Sequence, residues 1–278
     1  MRRHAFPAAL LLAISACLGT TGNHIVTFRG AAAGPVDAVA GAPLAFTSGV
    51  GWQVVLTKAT VHVGAMYLVQ TLPTSGGGPH SCILPETYVA QVVTEGQVPA
   101  GIDVDVLSPV PQFFPAQGQG TDLGAKAGQV WLTGVDIDAP DDLTPVLDVE
   151  GTAQKDGSSF PFFACLTIGA NRAQTPTNSA EPGSNPICLQ RIVSPIPVDL
   201  VPQNGGTLLL RIDPRPFFVD VDFSQLALSS TKTRCPFDGQ LPIRTFADES
   251  TDSPSTALYS ALRSAGGQYE FSWQPPSP

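Results

Sequence analysis

The 278-residue chain carries a formal net charge of −9, with 14 basic residues against 23 acidic ones. An acidic chain without clustered Lys or Arg excludes a nucleic-acid partner, because phosphate recognition needs a basic face. Twenty-seven Pro and twenty-seven Gly suit turns rather than long helices.

The N-terminus pairs Arg2 and Arg3 with an apolar run from Ala5 to Ala16, broken by Pro7 and Ser15. Crossing a bilayer needs ~20 apolar residues, so this run is too short to span one, but it has the length of a secretory signal. It ends Ile14-Ser15-Ala16-Cys17. These residues resemble the lipobox of bacterial lipoproteins. The resemblance implies removal of residues 1–16, a diacylglycerol on the Cys17 sulfur and an acyl chain on its amino group. Two lipid signals already give stable anchoring. Leu18 follows the anchor where an Asp would retain the protein at the inner membrane, so the resemblance implies the outer membrane. Residues 17–43 are rich in Gly, Ala and Thr and predict a lipid-anchored tether, with a short strand at His24 to Phe28. Residues 44–278 follow as the folded domain.

Residues 51–70, GWQVVLTKATVHVGAMYLVQ, predict a strand. Trp52, Val54 and Leu56 share one parity, and Ala59, Val61, Val63, Ala65, Tyr67 and Val69 share the other. A slip of phase at Thr57-Lys58 predicts a β-bulge. The same pattern puts His62 and Met66 together on the opposite face, ~13 Å apart at ~3.3 Å per residue, too far to share one metal ion. Thr71 to His80 reads as a flexible excursion.

Further along, Ile102, Val104 and Val106 alternate with Asp103 and Asp105. QVWLTGV and PVLDVEG add strand candidates. Between them lies DIDAPDD, Asp136 to Asp142. It fails the EF-hand pattern, which needs Gly at position 6 and Glu at 12. Asp136, Asp138, Asp141 and Asp142 remain candidate calcium ligands in an irregular loop. Phe160, Phe162, Ala164, Leu166 and Ile168 share one face of the next strand. A polar loop follows at Asn171 to Pro186. TLLLRID reads as a strand, and so does PFFVDVDFS, with Phe217, Val219, Val221 and Phe223 on one side. A helix begins at Ser253-Pro254, carries Ala257, Leu258, Ala261 and Leu262 on one stripe, and stops at Gly266-Gly267. Tyr269, Phe271 and Trp273 alternate along a last strand.

Clean alternation over many short strands predicts an all-β fold, an antiparallel β-sandwich with one short C-terminal helix. Two sandwiches split near residues 138–144 is the alternative. The mature cysteines are Cys82, Cys165, Cys188 and Cys235. An even number in an exported chain predicts disulfides. Cys165 and Cys188 flank the polar loop, which predicts that they pair and leave Cys82 to Cys235. Closing that loop would stabilise by roughly 3 kcal/mol.

Soft-metal ligands in the mature chain are few: His24, His62, His80 and Met66. With the acidic loop they make a copper or calcium site the low-ranking alternative, and no resident cofactor is expected. There is no Gly-x-Ser-x-Gly and no His-Glu-x-x-His. The pairs Asp103/Asp105 and Asp220/Asp222 read as solubilising residues. Adjacent Phe at 113/114, 162/163 and 217/218 send one ring each way, so one of each pair is free to meet a second layer or a glycan or protein partner. The stretch from Trp52 to Ala59 and the segment from Arg211 to Phe223 resemble β-rich lipoproteins of GC-rich bacteria, a resemblance that implies no activity. The chain therefore reads as an outer-membrane-anchored lipoprotein, periplasmic or surface-exposed. It would act as a non-catalytic binding or structural module of the cell envelope. A periplasmic metal-binding protein is the alternative, and an enzyme without a recognisable motif the third reading.

Overall fold

The computed structural model describes residues 24–70, 94–133, 143–168, 192–230, 235–237, 239–248 and 252–276. Cys17, Cys82, Cys188, His80, Asp136, Asp138, Asp141 and Asp142 lie outside the described residues.

Fifteen strands are described: β1 (Ile25–Ala33), β2 (Leu44–Thr47), β3 (Gln53–Val63), β4 (Ala65–Val69), β5 (Thr94–Val98), β6 (Ile102–Asp105), β7 (Gln112–Thr121), β8 (Ala125–Trp131), β9 (Leu147–Lys155), β10 (Ser158–Leu166), β11 (Ile192–Leu200), β12 (Thr207–Ile212), β13 (Leu228–Ser229), β14 (Ile243–Phe246) and β15 (Tyr269–Gln274). One sheet runs β11-β8-β4-β5-β7-β1-β12-β15. The other runs β13-β14-β10-β9-β3-β2, with β6 paired to β3. Most pairs are antiparallel, but β1 lies parallel to β12 and β10 parallel to β14. The expected antiparallel sandwich is thus mixed at two seams. In each case the two neighbours are far apart in sequence, so no hairpin dictates their relative direction.

One core lies between the sheets. Phe28, Met66, Leu68 and Leu208 from the first meet Val54, Leu56, Phe162 and Ala164 from the second. The same cluster includes residues on both sides of 138–144. Within the stretch expected as a tether, the structure holds a strand longer than His24 to Phe28. Ile25–Ala33 is an interior strand between β7 and β12, with Val26 and Phe28 in the core. Its Gly and Ala are small because neighbours crowd them: a Cβ on Gly30 would sit 2.9 Å from a Val98 methyl.

The bulge at Thr57 is present, as a register shift against β9 between Leu56 and Lys58. The strand is not continuous to Val69, however. Gly64 breaks it and passes the chain from one sheet to the other. The phase flips again there. Met66 and Leu68 point into the core, while Tyr67 packs its ring against Trp131 at 4.7 Å on the far face. Met66 therefore leaves the face expected for it and is fully buried.

The PFFVDVDFS segment is not a strand. It forms two 3₁₀ turns, Arg215–Phe218 and Phe223–Gln225. Pro214 and Pro216 preset the first turn. Asp222 caps the second, accepting from the Ser224 N–H. This turns both Phe217 and Phe218 into the core, where strand geometry would have exposed one. Helix α1 (Ser253–Leu262) closes the same region, with Leu258 and Leu262 in that core. Its cap is Asp252 rather than Ser253: the carboxylate accepts from the Ser255 N–H at 2.8 Å.

Candidate binding cleft

The outer face of the second sheet carries a cleft of about 580 Å³. Its floor comes from three adjacent strands: Thr57 on β3, Glu150 to Thr152 on β9, and Ser159 to Phe162 on β10. Thr152 lies directly opposite Pro161 in the β9–β10 ladder. Leu228 and Arg244 close the β13–β14 side, and Phe237, Gly239, Gln240 and Pro242 form a wall.

That wall is held in three ways. Cys235 is bonded to Cys165 of β10, with Cα atoms 5.8 Å apart. Phe237 packs on Phe163 at 4.9 Å, and with Ile243 these residues form a small cluster separate from the main core. Lys58 donates to the Pro236 carbonyl at 3.1 Å. Lys58 also pairs with Asp148 at 2.8 Å and Glu150 at 3.3 Å. Partial burial works against its charge, but the two carboxylates outweigh that and hold its pKa above the usual lysine value. The bulge at Thr57-Lys58 is what aims this side chain at the acids of β9.

On the β14 side the Arg244 guanidinium lies 4.3 Å from the Phe160 ring centroid and donates to the Leu226 carbonyl. The cleft therefore combines aromatic and proline surface with the hydroxyls of Thr152 and Ser159, one amide at Gln240, and two charges that already have partners.

The disulfide corrects the expected pairing of Cys165 with Cys188. Cys165 sits on the outer face of β10, and the chain brings Cys235 over that face when it returns to form β14 beside β10. Adjacency to a loop in sequence was the wrong guide, because the bond is set by which segment lies over the sheet.

Among the described residues, the candidate metal ligands His24, His62 and Met66 do not converge. His62 Nδ1 lies 2.6 Å from Asp103, its neighbour across β3 and β6. His24 pairs with Asp122 instead, at 3.1 Å. Asp105 accepts from the Leu107 N–H and caps its own turn. Among the described residues no group of three His, Cys, Asp or Glu is placed to hold a metal ion. Of the paired phenylalanines, Phe114 is buried and Phe113 exposed, with Arg29 over the Phe113 ring at 3.6 Å. Phe163 is the one that meets a second layer, under the cleft wall.

Phe237, Gln240, Pro242 and Arg244 were not singled out by sequence reasoning. The signal was there in the run CPFDGQLP, residues 235–242. A Cys followed by Pro, Gly and Pro marks a stapled, non-repetitive segment, which is where binding surfaces concentrate.

No helix among the described residues is long and apolar enough to cross a membrane. No family model matches the chain, and no curated protein does. Among solved structures, MbnP from Methylosinus trichosporium is similar over 91% of this chain and 98% of that one, with 12% sequence identity and a TM-score of 0.38. At those values the likeness carries no argument about function.

Proposed function

We propose that this protein is an exported lipoprotein whose β-sandwich is a non-catalytic binding module of the cell envelope, with the cleft above β9 and β10 as its ligand seat. The observation that carries the reading is the braced wall. A disulfide, an aromatic pair and a lysine hold Cys235, Pro236 and Phe237 over one sheet face, and they border a recess of ligand size. Recesses of about 300–1,000 Å³ lined by aromatics and a few polar groups are the usual form of a small-ligand site. The disulfide fits an oxidising compartment. The Ile14 to Cys17 motif and Leu18 support a lipid anchor in the outer membrane.

The test is a titration of the purified, processed protein followed by amide NMR, using oligosaccharides, short peptides and fatty acids. Shifts gathered on Thr152, Ser159, Phe237 and Gln240 with any one class support a ligand seat. Shifts confined to other surfaces, or none with every class, overturn it.

A second reading, a copper-binding protein, is favoured by one observation. Asp103 holds His62 Nδ1, and such a carboxylate orients an imidazole so that Nε2 faces a ligand. Titration with copper, against a His62→Ala variant, decides it: a stoichiometric ion lost in the variant supports this reading, and equal binding by both removes His62 from it.

A further inference from the structure

We propose that the ligand of the cleft is an uncharged oligosaccharide; this rests on the reading of the cleft as a ligand seat and narrows it to a chemical class. The first observation is the charge balance. The lining holds one acid, Glu150, and one base, Arg244. Glu150 shares Lys58 with Asp148, and Arg244 is engaged with the Phe160 ring and the Leu226 carbonyl. These opposite charges give the cleft no one-signed field to offset the desolvation of an ionic ligand, which is costly without a partner.

The second observation is the mix of surfaces. A purely apolar ligand would cover Thr152, Ser159 and Gln240 and strip their polar atoms of water without replacing those hydrogen bonds. A sugar ring matches both parts. Its C–H face lies on aromatic and proline surface, here Phe237, Pro161 and Pro242. Its hydroxyls both donate and accept, as do the hydroxyls of Thr152 and Ser159 and the amide of Gln240.

The third observation is placement. The hydroxyls of Thr152 and Ser159 stand on β9 and β10, which exchange a full ladder of hydrogen bonds, and the wall that carries Gln240 is bonded to β10 through Cys165–Cys235. A seat on rigid strands with a fixed wall loses little entropy on binding, which favours a weakly held neutral ligand.

The experiment is calorimetric titration of the purified, processed protein with maltotriose, cellotriose and triacetylchitotriose, alongside trigalacturonate as a charged sugar and trialanine, acetylated and amidated at its ends, as a neutral peptide. At least one neutral trisaccharide should bind. Phe237→Ala should weaken it about tenfold, as loss of a central aromatic does. Because Phe237→Ala also thins the small cluster below the wall, Thr152→Trp serves as the second variant. It fills the cleft from an outward-facing position and should abolish binding without lowering the unfolding temperature. A neutral trisaccharide that binds Thr152→Trp as well as the parent is bound elsewhere and overturns the proposal. Binding of trigalacturonate or trialanine in the cleft, with no neutral sugar bound, overturns the glycan class but leaves a ligand seat. Absence of any cleft ligand removes both.

Discussion

Cys165 and Cys235 are bonded across 70 residues of chain, and the bond fastens the wall of the cleft to the outer face of β10. Non-reducing peptide mapping should recover a 165–235 cross-link. Replacing both with Ala should lower stability by about 4 kcal/mol in the chain-entropy model for a loop of this length, measured by urea denaturation. A 165–188 cross-link would show that a different segment lies over β10.

Phe162 is fully buried and meets Phe218, Phe223 and Phe246 at centroid distances between 4.8 and 5.8 Å. It joins β10 to both 3₁₀ turns and to β14. Phe162→Ala should cost about 3–5 kcal/mol, the range for deleting a buried ring. A loss under about 1 kcal/mol in the same denaturation assay would mean that the 3₁₀ region is not packed as described.

Asp222 accepts from the Ser224 hydroxyl at 2.7 Å and from Gln225 at 2.9 Å. The Ser224 bond is the main cause that holds its carboxyl below the usual range. A depressed carboxyl contributes stability that is complete above its unfolded pKa, about 3.9, and fades as pH falls through the lower folded value. Asp222→Ala should therefore cost about 1 kcal/mol at pH 7, as loss of a cap does. The gap between variant and parent should narrow below about pH 4. Denaturation curves at pH 7 and pH 3 check this, and a gap of constant size at both would count against the cap.

Gly34 follows β1 at the tightest point of the loop into β2. A Cβ there would lie 2.2 Å from the Val106 carbonyl oxygen, and backbone cannot swing aside as a side-chain tip can. Gly34→Ala should destabilise by roughly 1–3 kcal/mol, the usual penalty for overpacking. The shift of the thermal midpoint reads it, and an unchanged midpoint would place the β6–β7 turn farther from Gly34.

Cys17→Ser should move the protein from the membrane to the soluble fraction, or leave an unprocessed precursor. Cell fractionation with immunoblotting reads both outcomes. A variant that stays membrane-bound and fully processed would remove the lipid anchor from the proposed function.

Strand content was legible because side-chain direction alternates every residue along any extended chain. The pattern Phe160, Phe162, Ala164, Leu166 names the buried face of β10 without knowledge of its neighbours, and the structure buries the last three of these completely. The bulge at Thr57-Lys58 was equally local, since one inserted residue shifts every later side chain to the other face. Two features mislead this kind of reading. Gly64 reset the phase by changing sheets, which an alternating pattern cannot distinguish from continuation. The 3₁₀ turns at 215–225 kept an alternating sequence while the prolines and the Asp222 cap selected another backbone.

The partner of Cys165, the interior place of β1 and the cleft itself were decided only by tertiary structure. Each depends on which distant segments lie side by side: β1 with β12, β10 with β14, Cys235 and Phe237 over β10. Those adjacencies come from burying one shared core between two sheets, an energy summed over the whole chain. By itself, the sequence determined which residues face inward; only the packed sheets decided which of them meet.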